Sequence, residues 1–266
     1  MLSQSVAKNQ EKRILLKHLN QRIKRCKSCH LSKTREYALV GEGDPDSRLM
    51  LIALSPGKEE NNADRMFVGP SGKVLERLFN AVAIDRQSVY MTNLIKCMLP
   101  KNRKPKMIEI AACSQYLDEE IAIIHPPILV PLGYYATRYV LQKYHSEIPP
   151  SRQAFRQIYG KLLYKNNQKI YPLYHPASVI YNPDYEPETI RLYRKLRVFL
   201  TVCKWYDLCP LHRFYEKGML ERKWIDLYCK GDWETCERYK MEEQGYPHPD
   251  WMLPDGSLNF DLKPDS

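Results

Sequence analysis

The chain of 266 residues has no apolar run approaching the roughly 18–20 residues that cross a bilayer. Its opening stretch, MLSQSVAKNQEKR, is polar and lacks the apolar segment of a secretory leader. There is no internal repeat and no low-complexity segment. These absences argue against a helical membrane protein, a repeat solenoid and a fibrous or disordered chain. They set the expectation of a cytoplasmic protein with no membrane partner. Without a leader, the eight cysteines do not read as a disulfide framework. Metal ligation or catalysis is the reading that suits a reducing compartment.

What is present is globular in character, with 44% hydrophobic and 27% charged residues. Lys and Arg number 41 against 31 Asp and Glu, a net charge of +10. The excess is unevenly placed: from residue 200 onward there are 9 basic and 13 acidic residues, leaving 32 basic and 18 acidic before it. A basic surface in the larger part favours a polyanionic partner, most simply nucleic acid. The change of sign marks a boundary, so we expect a domain at 1–199 and an acidic unit at 200–266.

Four short apolar runs read as buried strands: Leu49–Leu54, Val89–Asn93, Ile128–Leu132 and Ile170–Tyr174. Helical spacing lies between and after them, over Gly72–Ala83, Met107–Ile124, Tyr135–Lys143 and 184–199. Strand–helix alternation predicts an α/β fold, a three-layer α/β/α arrangement around a mainly parallel four-stranded sheet. A small, mainly helical C-terminal unit follows. Pro131 removes a ladder N–H from the third run and signals a disturbed strand. Ligands of such sheets bind beyond the carboxyl ends of the strands. Here those ends read Ser55-Pro56-Gly57, Thr92-Asn93, Gly133 and His175-Pro176, so a glycine turn, an amide and an imidazole are expected on one edge.

Cys26 and Cys29 form a Cys-x-x-Cys pair, Cys97 follows the second strand, and Cys113 lies on a predicted helix. Together they can close a four-thiolate shell, which suits either zinc or a four-iron, four-sulfur cluster.

These pieces, in order, resemble the uracil-DNA glycosylase superfamily, and most closely its iron–sulfur family 4. The resemblance runs from about Cys26 to Tyr181. It is carried by Cys26-x-x-Cys29 with Thr34-Arg35, Gly41-Glu42-Gly43, Ser55-Pro56-Gly57 and Arg65-Met66-Phe67-Val68-Gly69. Thr92-Asn93-Leu94-Ile95-Lys96-Cys97, Asn102-Arg103-x-Pro105, Leu132-Gly133 and Tyr174-His175-Pro176-Ala177 complete it. The cysteine intervals of 3, 68 and 16 look like the family's cluster pattern, so the resemblance implies one 4Fe-4S cluster on Cys26, Cys29, Cys97 and Cys113.

The resemblance implies a base-flipping, monofunctional DNA repair enzyme that hydrolyses the N-glycosidic bond of uracil in single- or double-stranded DNA. Phe67 matches the residue that stacks on uracil. Asn93 matches the reader of its O4 and N3–H, and His175 the residue that contacts O2; these last two are the expected catalytic pair. Glu60 matches a position associated with excluding the thymine methyl. Gly57 allows close backbone approach, and the backbone near Ser55 faces the pocket. Leu54 replaces the family's water-orienting acid, with Glu59, Glu60 and Asp64 as nearby carboxylates.

For DNA, Lys96, Lys101, Arg103, Lys104 and Lys106 form a basic segment suited to phosphates. Ile180 or Tyr181 is the expected wedge into the duplex. Two other readings stand beside this one: a glycosylase for another deaminated base such as hypoxanthine, and a non-catalytic iron–sulfur DNA-binding protein.

The unit from residue 200 lies outside the resemblance. Its Cys203, Cys209, Cys229 and Cys236, at intervals of 6, 20 and 7, suggest a second metal centre, against the competing reading of buried thiols in a small helical unit. The chain is expected to be monomeric, with this unit available to a protein partner.

Overall fold

The computed structural model describes residues 2–263 except 167, 204 and 207, and the side chains of these apart from 2–9 and 234. The last three residues of the expected C-terminal unit therefore lie outside the described residues. The chain divides into two compact units, residues 1–197 and 198–266.

In the first unit, helix α1 (Leu2–Arg25) precedes strand β1 (Leu49–Ala53). Helices α2 (Lys58–Ala63) and α3 (Pro70–Ala81) lead to β2 (Tyr90–Asn93), and α4 (Met107–Ile124) to β3 (Ile128–Pro131). Helix α5 (Gly133–Lys143), the hairpin β4 (Leu163–Lys165) and β5 (Gln168–Ile170), α6 (Ala177–Tyr181) and α7 (Glu186–Thr201) follow. The sheet order is β2-β1-β3-β5-β4, parallel except for the β4–β5 pair.

Two expectations are corrected. The sheet has five strands, because β4 adds an antiparallel edge of three residues turned by Asn166 at φ +46°. The fourth strand is regular over Gln168–Ile170, earlier than the expected Ile170–Tyr174, and the pairing resumes beyond it in a parallel bridge between Leu132 and Leu173. Pro131 explains the interruption. The Pro131 carbonyl accepts from Leu173 N (3.0 Å), so Pro131 presents its backbone edge to β5. The N–H that it lacks belongs to that side of the ladder.

Alternation along the strands fills both faces. Met50, Ile52, Tyr90, Leu129 and Ile170 pack in one core with Leu19 and Ile23 of α1, Leu117 and Ile121 of α4 and Val140 of α5. Leu51, Met91 and Val130, pointing the other way, are equally buried. On β5's alternate side, the Tyr171 hydroxyl donates to the Leu192 carbonyl of α7 (3.0 Å). The strands thus read as continuous apolar runs, as strands covered on both faces do.

The second unit is built of short helices, α8 (Pro210–Glu216), α9 (Arg222–Trp224), which continues into a π-helical turn over Ile225–Cys229, and α10 (Glu237–Gln244). Its core gathers Leu211, Leu220, Ile225, Cys229, Leu253 and Leu262. No helix among the described residues is long and apolar enough to cross a membrane.

Candidate active site

A cleft of ≈ 470 Å³ opens where the strands end. Ala53, Ser55, Pro56 and Gly57 after β1, Asn93 closing β2, and His175 beyond β5 line it. Glu60, Met66 and Phe67 line it from the segment between β1 and α3, and Ala177, Ile180 and Tyr181 from α6. Ser55, Gly57, Glu60, Phe67, Asn93, His175, Ile180 and Tyr181, predicted from separate segments, therefore share one cavity.

Phe67 is the strained element. Its φ is +50°, a left-handed conformation rare for a bulky side chain. Such strain costs on the order of 1–3 kcal/mol and persists only where the surroundings over-determine it. Here they do. Glu42 Oε1 accepts from Met66 N (2.8 Å), and Arg86 Nη2 donates to the Met66 carbonyl (2.5 Å) with Nη1 at 3.4 Å from that of Phe67. Glu60 Oε1 accepts from Gly69 N (2.7 Å). Gly72 supplies the room: a Cβ there would lie 1.9 Å from the Phe67 carbonyl oxygen. The ring is held almost wholly buried, its centroid 6.3 Å from that of His175 and tilted 32° to it.

Asn93 is buried at the floor, and its Nδ2 donates to the Met66 thioether (3.1 Å), a weak acceptor that a stronger one can displace. His175 is half-buried. Its Nδ1 accepts from Ala177 N (3.1 Å), so the neutral ring carries its proton on Nε2. Desolvation pulls the imidazole down to about 4, which keeps it neutral at pH 7. Gly133, at φ +77°, leaves space beside it: a Cβ there would meet the His175 Cβ at 3.2 Å. The first turn of α6 wraps the same residue, Ser178 N and Oγ both donating to the His175 carbonyl (2.8 Å each).

The carboxylates divide by role. Glu60 is buried and committed to Gly69. Asp64 is ion-paired with Lys24. Glu59 is exposed and lines the cleft. Leu54 packs against the core instead of lining the cleft.

At the rim, Tyr181 is 84% exposed and Ile180 44%. Lys101 and Lys104 are exposed on the loop after β2, where Asn102 also lines the cleft. The basic segment is smaller than expected, however. Lys96 is buried, its ammonium donating to Glu120 (2.6 Å) and Thr92 Oγ1 (2.7 Å), so it faces no phosphate. Arg103 is held by both oxygens of Glu109. Both pairings arise from partners on α4. Sequence reasoning gave Met66 no role of its own and missed Arg86. A lone Arg in Asp85-Arg86-Gln87 carries no local signal of a contact twenty residues back.

Cys26, Cys29, Cys97 and Cys113 line a separate, narrow cavity of ≈ 10 Å³ with Arg35 and Tyr116. Cys26 follows α1, Cys29 opens a 3-10 turn, Cys97 lies after β2 and Cys113 on α4. Three N–H groups already face these sulfurs. Arg35 Nη1 donates to Cys97 Sγ (3.1 Å), Lys96 N to Cys113 Sγ (3.1 Å) and Ser28 N to Cys26 Sγ (3.5 Å). Burial pushes the Cys113 thiol up to about 12 and raises that of Cys97, against the pull of Arg35.

Comparison with known proteins agrees with this architecture. The family model described as the uracil DNA glycosylase superfamily matches residues 40–197. A type-4 uracil-DNA glycosylase of Sulfurisphaera tokodaii is 34% identical over 198 residues, 73% of this chain and 88% of the relative. One from Saccharolobus solfataricus is 35% identical over 180 residues, 67% and 83%. One from Archaeoglobus fulgidus is 29% identical over 174 residues, 65% and 87%. Residues 198–266 lie beyond the family model. With its strand-end cleft and these relatives, the chain belongs to the uracil DNA glycosylase superfamily, in its type-4 family.

Proposed function

We propose that the chain is a monofunctional uracil-DNA glycosylase of base-excision repair. The observation that carries this reading is the floor of the cleft, where a braced aromatic ring, a weakly engaged amide and a neutral imidazole meet. Uracil turned out of the stack lies against Phe67. Asn93 donates to O4 through Nδ2 and accepts from N3–H through Oδ1; cytosine offers a donor and an acceptor in the opposite places. The His175 Nε2–H donates to O2. As the C1′–N1 bond breaks, its electron pair leaves with the base, and negative charge grows on O2 where that donor already waits. Water adds to C1′, and its proton returns the departed base to neutrality. A preorganised donor of this kind is worth roughly 3–4 kcal/mol. Glu59 and Ser55, on the cleft wall, are the groups beside the attacking water, in place of the acid that Leu54 replaces.

The rim supplies DNA contact. Lys101 and Lys104 meet phosphates, with Arg103 shaping their loop through Glu109, and Ile180 or Tyr181 fills the space that the base vacates. Cys26, Cys29, Cys97 and Cys113 hold a 4Fe-4S cluster. Four thiols facing one cavity, with N–H donors to three of them, fit that group. Cys26 and Cys29 are only half-buried. The bound cluster supplies cross-linking of α1, α4 and the basic loop. The protein acts as a cytoplasmic monomer.

Oligonucleotides carrying one uracil, one hypoxanthine or neither, single-stranded and duplex, test the reading. We expect an alkali-sensitive break at uracil alone. Cleavage only at hypoxanthine, or binding without cleavage, overturns it.

A further inference from the structure

The second unit has a cavity of its own. Cys203, Cys209, Cys229 and Cys236 line a single space of ≈ 180 Å³. The four come from separate elements: Cys203 follows α7, Cys209 precedes α8, Cys229 closes the π-helical turn and Cys236 precedes α10. The Cys203 N–H donates to the Cys229 carbonyl (2.7 Å), tying two of these elements together at the cavity. Chain segments up to 33 positions apart in sequence thus bring four cysteines to one cavity. We propose that this unit binds an iron–sulfur cluster of the 4Fe-4S type on Cys203, Cys209, Cys229 and Cys236.

Three observations support it. First, Arg238 lines the cavity and is only 3% exposed. Its Nη1 donates to the carbonyls of Pro249, Asp250 and Met252, while its buried Nε has no partner. An unpaired cationic N–H in a cavity lined by four cysteines matches an anionic cluster; in the first unit Arg35 bonds Cys97 Sγ in the corresponding role. Second, the space suits a group with bulk of its own. The cavity of ≈ 180 Å³ is lined by all four cysteines. A cluster holds its thiolates apart, around a volume. Third, the unit is small. Its short helices enclose few apolar side chains around Leu211, Ile225 and Leu253. Units of this size gain stability from a metal or cross-link when the core is thin. On binding, each thiol gives up its proton as its sulfur takes an iron, so four protons leave the unit.

The test is the metal and sulfide content of the full chain purified without oxygen. Wild type should hold about eight irons and eight acid-labile sulfides, two clusters' worth. Cys97→Ser, which breaks the first set, should keep about four of each; Cys229→Ser and Cys236→Ser should also keep about four. Wild type with about four irons, all lost in Cys97→Ser and unchanged in Cys229→Ser, overturns the proposal. So does one zinc per chain that Cys229→Ser releases, or disulfides among the four thiols in the denatured, alkylated chain. If Cys229→Ser does not fold, wild type and Cys97→Ser alone still decide.

Discussion

The floor and the rim of the cleft are built by opposite means. At the floor, Phe67, Asn93 and His175 are buried or half-buried, and each is fixed by neighbours: Glu42, Arg86 and Gly72 around Phe67, Met66 beside Asn93, Ala177 under His175. At the rim, Lys101, Lys104, Ile180 and Tyr181 stand exposed. The floor resembles a mould set before substrate arrives, and it includes a backbone strain that the fold sustains. The rim resembles a surface that takes shape against DNA. On the proposed reading this is a division of labour: chemistry and base identity below, affinity and insertion above.

Substitutions can break that division, in falling order of effect. His175→Ala and Asn93→Ala should each lower single-turnover excision by roughly 10²–10³-fold, the scale of one lost preorganised donor, with thermal unfolding little changed. A loss of tenfold or less in either would move that residue out of the floor. Phe67→Ala removes a stacking face and should cost about 1–3 kcal/mol in binding of the flipped base, measured with a non-cleavable uracil analogue. Lys101→Ala and Lys104→Ala should reduce the slope of log affinity against log salt by about 0.7–0.9 each, leaving saturated excision unchanged. A change in the saturated rate would erase the line between rim and floor.

The smallest expected effect is on pH. A folded-state value of about 4 for His175, below its ordinary value of 6.5, keeps the donor neutral, so its titration should not alter excision between pH 5 and 8. The sign for stability is the reverse of a stabilising cation. Between pH 6.5 and 4 the unfolded chain binds the proton more readily, so stability falls as pH drops through this window. His175→Gln should flatten that part of the stability profile in denaturant titrations. An unchanged profile would place a different group behind it.

Much of this was legible in the sequence, for physical reasons. Strands buried on both faces leave short apolar runs, so β1, β2 and β3 fall within a residue of their expected ends. The motifs at the strand ends put Asn93 and His175 on one edge and the family resemblance added Phe67; all three line one cleft. What stayed hidden depended on distant partners. Lys96 looks like a surface cation until Glu120 is folded against it. Arg103 looks equally available until Glu109 takes it. The β4 edge has three residues, too few for any periodicity to register. Helix α1 has no amphipathic signature strong enough to stand out, yet Leu16, Leu19 and Ile23 reach the core. Phe67's left-handed backbone left no trace in composition, though Gly72, which makes room for its carbonyl, was visible as a glycine.

The most direct measurement is single-turnover excision of uracil by wild type and by Asn93→Asp, which keeps the shape of the side chain and removes the Nδ2 donor. The account predicts that wild type releases uracil and leaves cytosine in place, and that Asn93→Asp loses uracil excision by about 10² or more. A variant that still releases uracil at the wild-type rate would contradict it.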